Sequence, residues 1–305
     1  MDILNFFLSS TLRAAMPILI AGLGLVFSAR AGVVNIGAEG MMLVGAIMGF
    51  AGTYYTGSAW LGLLIGIGAG ALMGLLFAVI VVSLRADQTV VGVAFGVLGS
   101  GISITLNRFF FGISGSQPSV EGFPLVPLWG LSKIPIIGPA LFNNNLLVYI
   151  TIAIVVASHI FLFKTELGLR IQAVGEHPRA CDTLGINVYL IRYGTIVFSG
   201  VMCGFAGAYM PLAQLDSFIE GMVAGRGYMA LAAVVFGKWK PIGVLVAVLV
   251  FGFGETLQYW LQAQNVGIPY QFLKMIPYVV TILAVSGLVG KVQGPAASGK
   301  AYSKE

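Results

Sequence analysis

Nine apolar runs divide the chain: Leu12–Ser28, Ala38–Tyr55, Trp60–Leu84, Val90–Leu106, Leu146–Phe163, Tyr193–Ala213, Tyr228–Phe236, Ile242–Leu261 and Phe272–Val289. Polar or glycine-rich breaks separate them. A helix that crosses the hydrocarbon core needs ~20 apolar residues, so several runs are short. The seventh is the extreme case. About a dozen residues separate Arg226 from Lys238, or ~18 Å of helix at 1.5 Å per residue. Lipid offers no hydrogen-bond partner at the depth where its ends would lie, so this helix is expected to be recessed in the bundle or re-entrant. The pattern predicts an all-α polytopic membrane protein of about nine transmembrane helices, some short or broken, over residues 1–290.

Composition excludes the alternative of a water-soluble fold. The chain is 58% hydrophobic and 9% charged, with a mean hydropathy of +0.96, against roughly 25% charge in soluble domains. Its 42 glycines suit closely packed membrane helices. Gly62, Gly66, Gly70 and Gly74 recur every fourth residue on one helix face, as do Gly92, Gly96 and Ser100, and Gly200, Gly204 and Ala208. They predict packing stripes. Cys181 and Cys203 have no metal-ligand spacing and read as unpaired thiols. No charged stretch precedes the first apolar run, so no cleavable signal is expected, and Met1–Leu12 is expected along the outer interface.

Lysines and arginines set the expected orientation. If all nine runs cross and 164–192 is cytoplasmic, that side holds 11 of them and the outer side five: Arg13, Arg108, Lys133, Arg226 and Lys274. This positive-inside bias puts the N-terminus outside and the C-terminus in the cytoplasm. Arg108–Asn145, with its prolines and aromatics, reads as a folded outer cap with Trp129 at headgroup level. Lys291–Glu305 is small and polar and is expected to be a disordered tail.

The longest polar break in the second half is Lys164–Arg192, KTELGLRIQAVGEHPRACDTLGINVYLIR, with seven of the chain's 27 charged residues in 29 positions. It begins with an amphipathic lead-in, Leu167–Val174. Gly175 or Glu176 then opens a short helix with Pro178 in its first turn, and Gly185 stands where a left-handed cap belongs. Such a helix lying crosswise under the membrane suits docking; a plain surface linker has the same spacing. A second glycine-rich polar break, RAGVVNIGAEG at 30–40, predicts irregular backbone near the cytoplasmic face. Ala224–Tyr228 echoes it, a hint of the repeats seen in transporters.

Catalytic patterns are missing. No Gly-Lys pair stands in a phosphate-binding G-x-x-x-x-G-K-[ST] loop, so ATP hydrolysis is not expected of this chain. His159 and His177 stand alone. Glu255 is the one acid well inside an apolar run, where a charge costs ~2.5–3.5 kcal/mol on insertion scales. Gln258 and Gln262 share its helix face. The stripe either lines a polar route or serves hydrogen bonds between helices. With Asn35, Glu39 and Gln88 it forms the candidate translocation set. Asp216 and Glu220, beside Arg226, are expected in a solvated loop at the outer mouth.

Five segments, GVVNIGAEGMMLVGA (32–46), LRADQTVVGVAFGVLGSGIS (84–103), GLRIQAVGEHPRACDTLGINV (168–188), FIEGMVAGRGYMALAAVVFGKWKPIG (218–243) and FGFGETLQYWLQ (251–262), together resemble the permease subunits of ABC importers for nucleosides and simple sugars. That group belongs to a wider one with branched-chain amino acid and ribose permeases. The likeness is greatest to the shorter of the two paired nucleoside permeases. The resemblance implies that Glu176, His177, Pro178, Arg179, Asp182, Gly185 and Asn187 make or shape a coupling helix seated in an ATPase subunit. His177 stands where the family commonly has Asn, and Cys181 where it has Ala. It further implies a bacterial plasma (inner) membrane location and four kinds of partner: a second, longer permease chain, an ABC ATPase that carries ATP and Mg, an extracytoplasmic substrate-binding (lipo)protein, and membrane lipid. No cofactor, metal or nucleic acid is implied for this chain. The competing readings are a branched-chain amino acid or ribose permease and an ion-coupled secondary transporter.

Overall fold

The computed structural model describes residues 2–112, 118–127, 142–264, 267, 269–277, 279–280, 282 and 294–303. In chain order the helices are α1 (Asp2–Arg30), α2 (Ala38–Thr56), α3 (Ala59–Ala78, running on into a π-turn at Val79–Ser83), α4 (Gln88–Phe111), α5 (Leu146–Lys164), α6 (Glu166–Glu176), α7 (Pro178–Thr183), α8 (Val188–Met210, then a π-turn at Pro211–Leu215), α9 (Arg226–Phe236), α10 (Pro241–Ala263) and α11 (Tyr270–Leu273). Two short antiparallel strands, β1 (Leu125–Pro127) and β2 (Asn143–Asn145), pair Leu125 with Asn145. Among the described residues six helices are long and apolar enough to cross a membrane: α1, α3, α4, α5, α8 and α10. Trp129 and half of the expected ninth crossing, Phe272–Val289, lie outside the described residues, so the count of nine is not reached among those described.

Local chemistry sets the helix ends. The carboxylate of Asp87 accepts the N–H groups of Thr89 and Val90 at the start of α4. Asn145, Thr165 and Asn187 each accept one N–H in the first turn of α5, α6 and α8. These side chains satisfy amides that the helices themselves leave free. Residues 2–12 form the first turns of α1, which runs unbroken past Pro17.

Burial separates an inner from an outer set. α1, α2 and α8 are buried on nearly every side, whereas α3, α4, α5 and α10 each turn an apolar face outward. Lipid rewards apolar side chains, but helix-to-helix contact in a membrane rewards small ones. Accordingly α2 and α8 are glycine-rich at the places where backbones meet. Gly45 and Gly49 of α2 approach Gly204 and Ala208 of α8, with α3 closing the triangle through Gly66, Gly70 and Gly74. These pairings show α2 running parallel to α8, with α3 antiparallel to both. Of the expected α4 stripe, Gly92 packs on Ile36 and Gly37 just before α2 and a Cβ on Gly96 would meet the Tyr228 hydroxyl, while the neighbouring Gly99 meets α2 at Gly40.

Segment 164–192 forms the predicted amphipathic helix, α6, and the predicted short helix, α7, joined at His177. Pro178 opens α7, and Gly185 follows it at φ +79°. Gly175 packs so closely on the Arg30 carbonyl that no side chain fits between them, so this segment sits on the end of α1. The opposite end of the bundle carries the 118–127 segment, where Val120 and Phe123 donate to the carbonyls of Asp216 and Leu212. The tail expected to be disordered is described from 294 to 303. It lies against α6, α7 and the α1–α2 turn, because its backbone finds hydrogen-bond partners there.

Gly204→Val places branched carbon against the α3 backbone, where even a Cβ stands 2.5 Å from the Gly66 oxygen. The expected cost is ~1–3 kcal/mol, read as a lowered midpoint of thermal unfolding in detergent. Gly68→Ala, with no atom within 4 Å of the added carbon, should leave that midpoint unchanged.

Candidate functional site

Two stretches of irregular backbone enter the bundle from opposite ends. The first, residues 31–37, turns back inward after α1. Its Gly32 has φ +83°, and Ala31 and Val33 are fully buried. Buried backbone needs partners, and side chains supply them. The Val34 N–H donates to Gln88 Oε1 at 2.8 Å. Asn35, 1% exposed, donates to Ser199 Oγ at 3.1 Å in the middle of α8. The second stretch, Asp216–Gly225, descends to α9 through left-handed residues at Asp216, Gly221, Ala224 and Gly225. Asp216 and Ala224 hold this conformation without being glycine, a local strain that only surrounding contacts maintain.

Glu39 joins the two stretches. One carboxylate oxygen accepts the N–H of Gly225 and the other that of Gly227, both at 2.8 Å. α9 thus begins on a half-buried carboxylate from α2, which satisfies its first amides and complements its dipole. Gly227 must be glycine here, since a Cβ would stand 2.5 Å from the Glu39 nitrogen. α9 has 11 residues and ends beside Arg30, which donates to the Trp239 carbonyl at 2.7 Å. It occupies only the depth between Glu39 and the end that carries α7. This is the recessed helix that the spacing demanded.

Arg226 follows directly. The sequence places it at the outer mouth, but it is the first residue of α9 and its side chain is only 14% exposed. Its guanidinium bonds the carbonyl of Met222 at 3.1 Å and forms an ion pair with Glu255 of α10. Each member keeps one unpartnered buried atom, Arg226 Nε and Glu255 Oε2. The pair borders a cavity of about 710 Å³ between the π-turn of α8, α9, α10 and the residues Lys274 and Pro277 that follow α11. Gln214, Gln258 and Tyr259 give it neutral polar groups, and Met210, Met222 and Met229 give it apolar walls. Lys274 stands exposed at its rim.

The candidate translocation set therefore divides. Glu255 and Gln258 line the cavity. Asn35, Gln88 and Glu39 hold the broken backbone beside it. Gln262 is exposed in the last turn of α10, outside the cavity lining. Arg226, Gln214 and Tyr259 were missed. The signal that could have found Arg226 was its place at the start of a helix too short to cross. Glu220 and Asp216 do lie toward the far end, where Glu220 pairs with Arg108 at 3.6 Å and accepts from Asn107 at 3.2 Å. In the crosswise segment His177 precedes α7, Arg179 is exposed, and Asn187 caps α8 rather than projecting from α7.

The family described as branched-chain amino acid transport system / permease component matches residues 7–285. The chain belongs to this family of permease components. A guanosine ABC transporter permease protein of Bacillus subtilis (strain 168) is 41% identical to this permease over 99% of this chain and 98% of its own. A second guanosine permease of that strain is 22% identical over 92% of this chain and 81% of its own. A putative glucose ABC transporter permease protein of Haloferax volcanii is 36% identical over 98% of this chain and 97% of its own. A nucleoside ABC transporter permease protein of Lactococcus lactis subsp. cremoris is 37% identical over 99% of this chain and 98% of its own. No solved structure matches the permease.

Glu255→Leu leaves the Arg226 guanidinium buried without its carboxylate. Breaking such a pair costs ~3–5 kcal/mol, while replacing both members by apolar residues is often neutral. The unfolding midpoint should fall sharply for the single variant and return most of the way in Glu255→Leu with Arg226→Leu.

Proposed function

We propose that this permease forms the membrane path of an ATP-driven importer for nucleosides or simple sugars. The cavity beside the Arg226–Glu255 pair carries the reading. Its volume lies in the usual ~300–1,000 Å³ range of small-molecule sites. The two buried charges oppose one another and Lys274 stands out at the exposed rim, so the inner lining offers amides, a phenol and thioethers. That chemistry suits an uncharged, hydroxyl-rich solute with an apolar face. The relatives named for guanosine, nucleosides and glucose support the same class.

The drive comes from outside the chain. A separate ATPase grips α7 from the cytoplasm through Glu176, His177, Pro178 and Arg179, with Asp182 and Gly185 shaping the helix. A second, longer permease pairs with this one; the two guanosine permeases of one Bacillus strain support such pairing. An extracytoplasmic binding protein delivers the solute. The N-terminus lies outside and the C-terminus inside. With Arg226 moved into the bundle, four basic residues remain on the outer side against 11 on the cytoplasmic side, which strengthens the bias.

Motion of α7 passes to α1 and the 31–37 stretch, then through Glu39 to α9 and the cavity, and so alternates access. An ion-coupled transporter would work alone. The permease in liposomes without ATPase should therefore show no uptake of labelled guanosine, and the assembled complex with ATP should restore it. Uptake by the lone chain would overturn the reading. In the complex, Gln258→Leu should raise the solute concentration for half-maximal uptake several-fold while ATPase retention stays unchanged. Replacing Arg179 and Asp182 together by alanine should do the reverse, weakening ATPase retention and stopping uptake.

A further inference from the structure

The segment 294–303 touches three parts of the coupling end at once. The Ala297 N–H donates to the Gly175 carbonyl at 2.9 Å and the Gly299 N–H to the Gly32 carbonyl at 3.1 Å. The Ala296 N–H donates to Glu176 Oε2 at 3.2 Å. Gly294 lies against the Trp239 ring, with a built Cβ 2.9 Å from it. α6, the 31–37 stretch and the turn before α10 are thereby tied by one strap of chain.

Arg192 and Tyr302 fasten its end. Arg192, 3% exposed at the start of α8, donates to the Lys300 carbonyl at 3.0 Å and lies 6.0 Å from the centre of the Tyr302 ring. Tyr302 is 8% exposed and packs with Val174, Cys181 and Val188. Burial and the Asp182 carboxylate, to which its hydroxyl is hydrogen-bonded, raise its pKa, so it stays a neutral donor at physiological pH. Two Arg192 nitrogens, Nε and Nη2, have no hydrogen-bond partner. A buried guanidinium with unused donors is costly unless an acceptor reaches it.

Strap and crosswise helix enclose a groove of about 660 Å³ between His177–Ala180 on one side and Ala296–Ser303 on the other. Arg179, Arg192 and Lys300 line it with the carboxylate of Glu176, and the Asp182 carboxylate borders it through the Tyr302 hydroxyl, so cations remain in excess. A helix alone would present only a ridge; the strap turns the ridge into a cationic slot.

We propose that the ATPase partner grips this composite of α7 and residues 294–303, seating a carboxylate-bearing loop in the slot. The proposal rests on the assignment of α7 as the coupling helix and adds the second wall and the partner's charge. Pulling on such a surface moves the 31–37 stretch directly through Gly299, not only through Gly175.

Limited trypsin digestion of the unmodified protein tests it, because Lys300 and Arg179 are both exposed. The permease pair without ATPase should be cut after both, and the full complex should be protected at both. Protection of Arg179 with undiminished cutting after Lys300 would overturn the second wall and leave the coupling helix standing. Undiminished cutting at both sites would remove the coupling assignment and the proposal with it. At low salt, Lys300→Glu should weaken ATPase binding about tenfold and Lys300→Arg should not, since opposed charges at an interface repel. Equal affinity for the two variants would overturn the acidic loop.

Discussion

A carboxylate clamped on two backbone amides is the constraint on which the rest depends. The membrane interior tolerates irregular chain only where its N–H and C=O groups find partners. This permease brings two such stretches into its centre, from opposite ends, and Glu39 holds them together. Because α9 starts on that anion, it need not reach the far surface. Because it starts so deep, Arg226 is delivered to Glu255 instead of to solvent. The cavity exists where it does because one helix is short and its first residue is a cation. The surrounding polar residues follow the same logic: Gln88 satisfies the Val34 amide of the inward turn, Asn35 ties that turn to Ser199 of α8, and four capping side chains satisfy the first turns of α4, α5, α6 and α8.

Much of the fold was legible because membrane physics writes it in hydropathy and glycine spacing. Seven of the nine runs coincide with helices of at least 19 residues, and the recessed helix was visible as a run too short to span. Pro178 and Gly185 bounded α7 through backbone preferences alone. Legibility ended where long-range pairing decides. Nothing local distinguishes an arginine in an outer loop from one folded inward onto a carboxylate 29 positions away. The helical stripe placed Gln262 with Glu255 and Gln258, but Gln262 is exposed in the last turn of α10, beyond the cavity lining. Small polar residues at the C-terminus read as disorder because their partners, the carbonyls of Gly32 and Gly175, lie far off in sequence.

The contacts between coupling end and cavity form an unbroken series. α6 rests on Arg30 through a glycine, the 31–37 stretch hangs between α1 and α2, and Glu39 passes that position to the start of α9. Each joint is a backbone contact or a carboxylate on two amides, and flexible side chains play little part. Such joints transmit displacement well because little rotamer freedom absorbs it. Whether both ends bias one bistable element is a question of coupling energy, not of adjacency. The geometry favours it, since Asp216 and Ala224, two of the five described non-glycine residues held at positive φ, lie in the stretch that leads into α9.

The near-complete enclosure of α2 bears on biogenesis. Its 19 residues spend their surface on glycine and alanine for neighbours rather than on leucine for lipid, and they fall short of the apolar threshold that the six flanking spans exceed. A segment of that make-up gains little from partitioning by itself and is held by protein contacts. Its residence in the bilayer is therefore conditional on α3 and α8, the latter synthesised more than a hundred residues later. An inner helix of this make-up must wait at the membrane for company that the ribosome has yet to make.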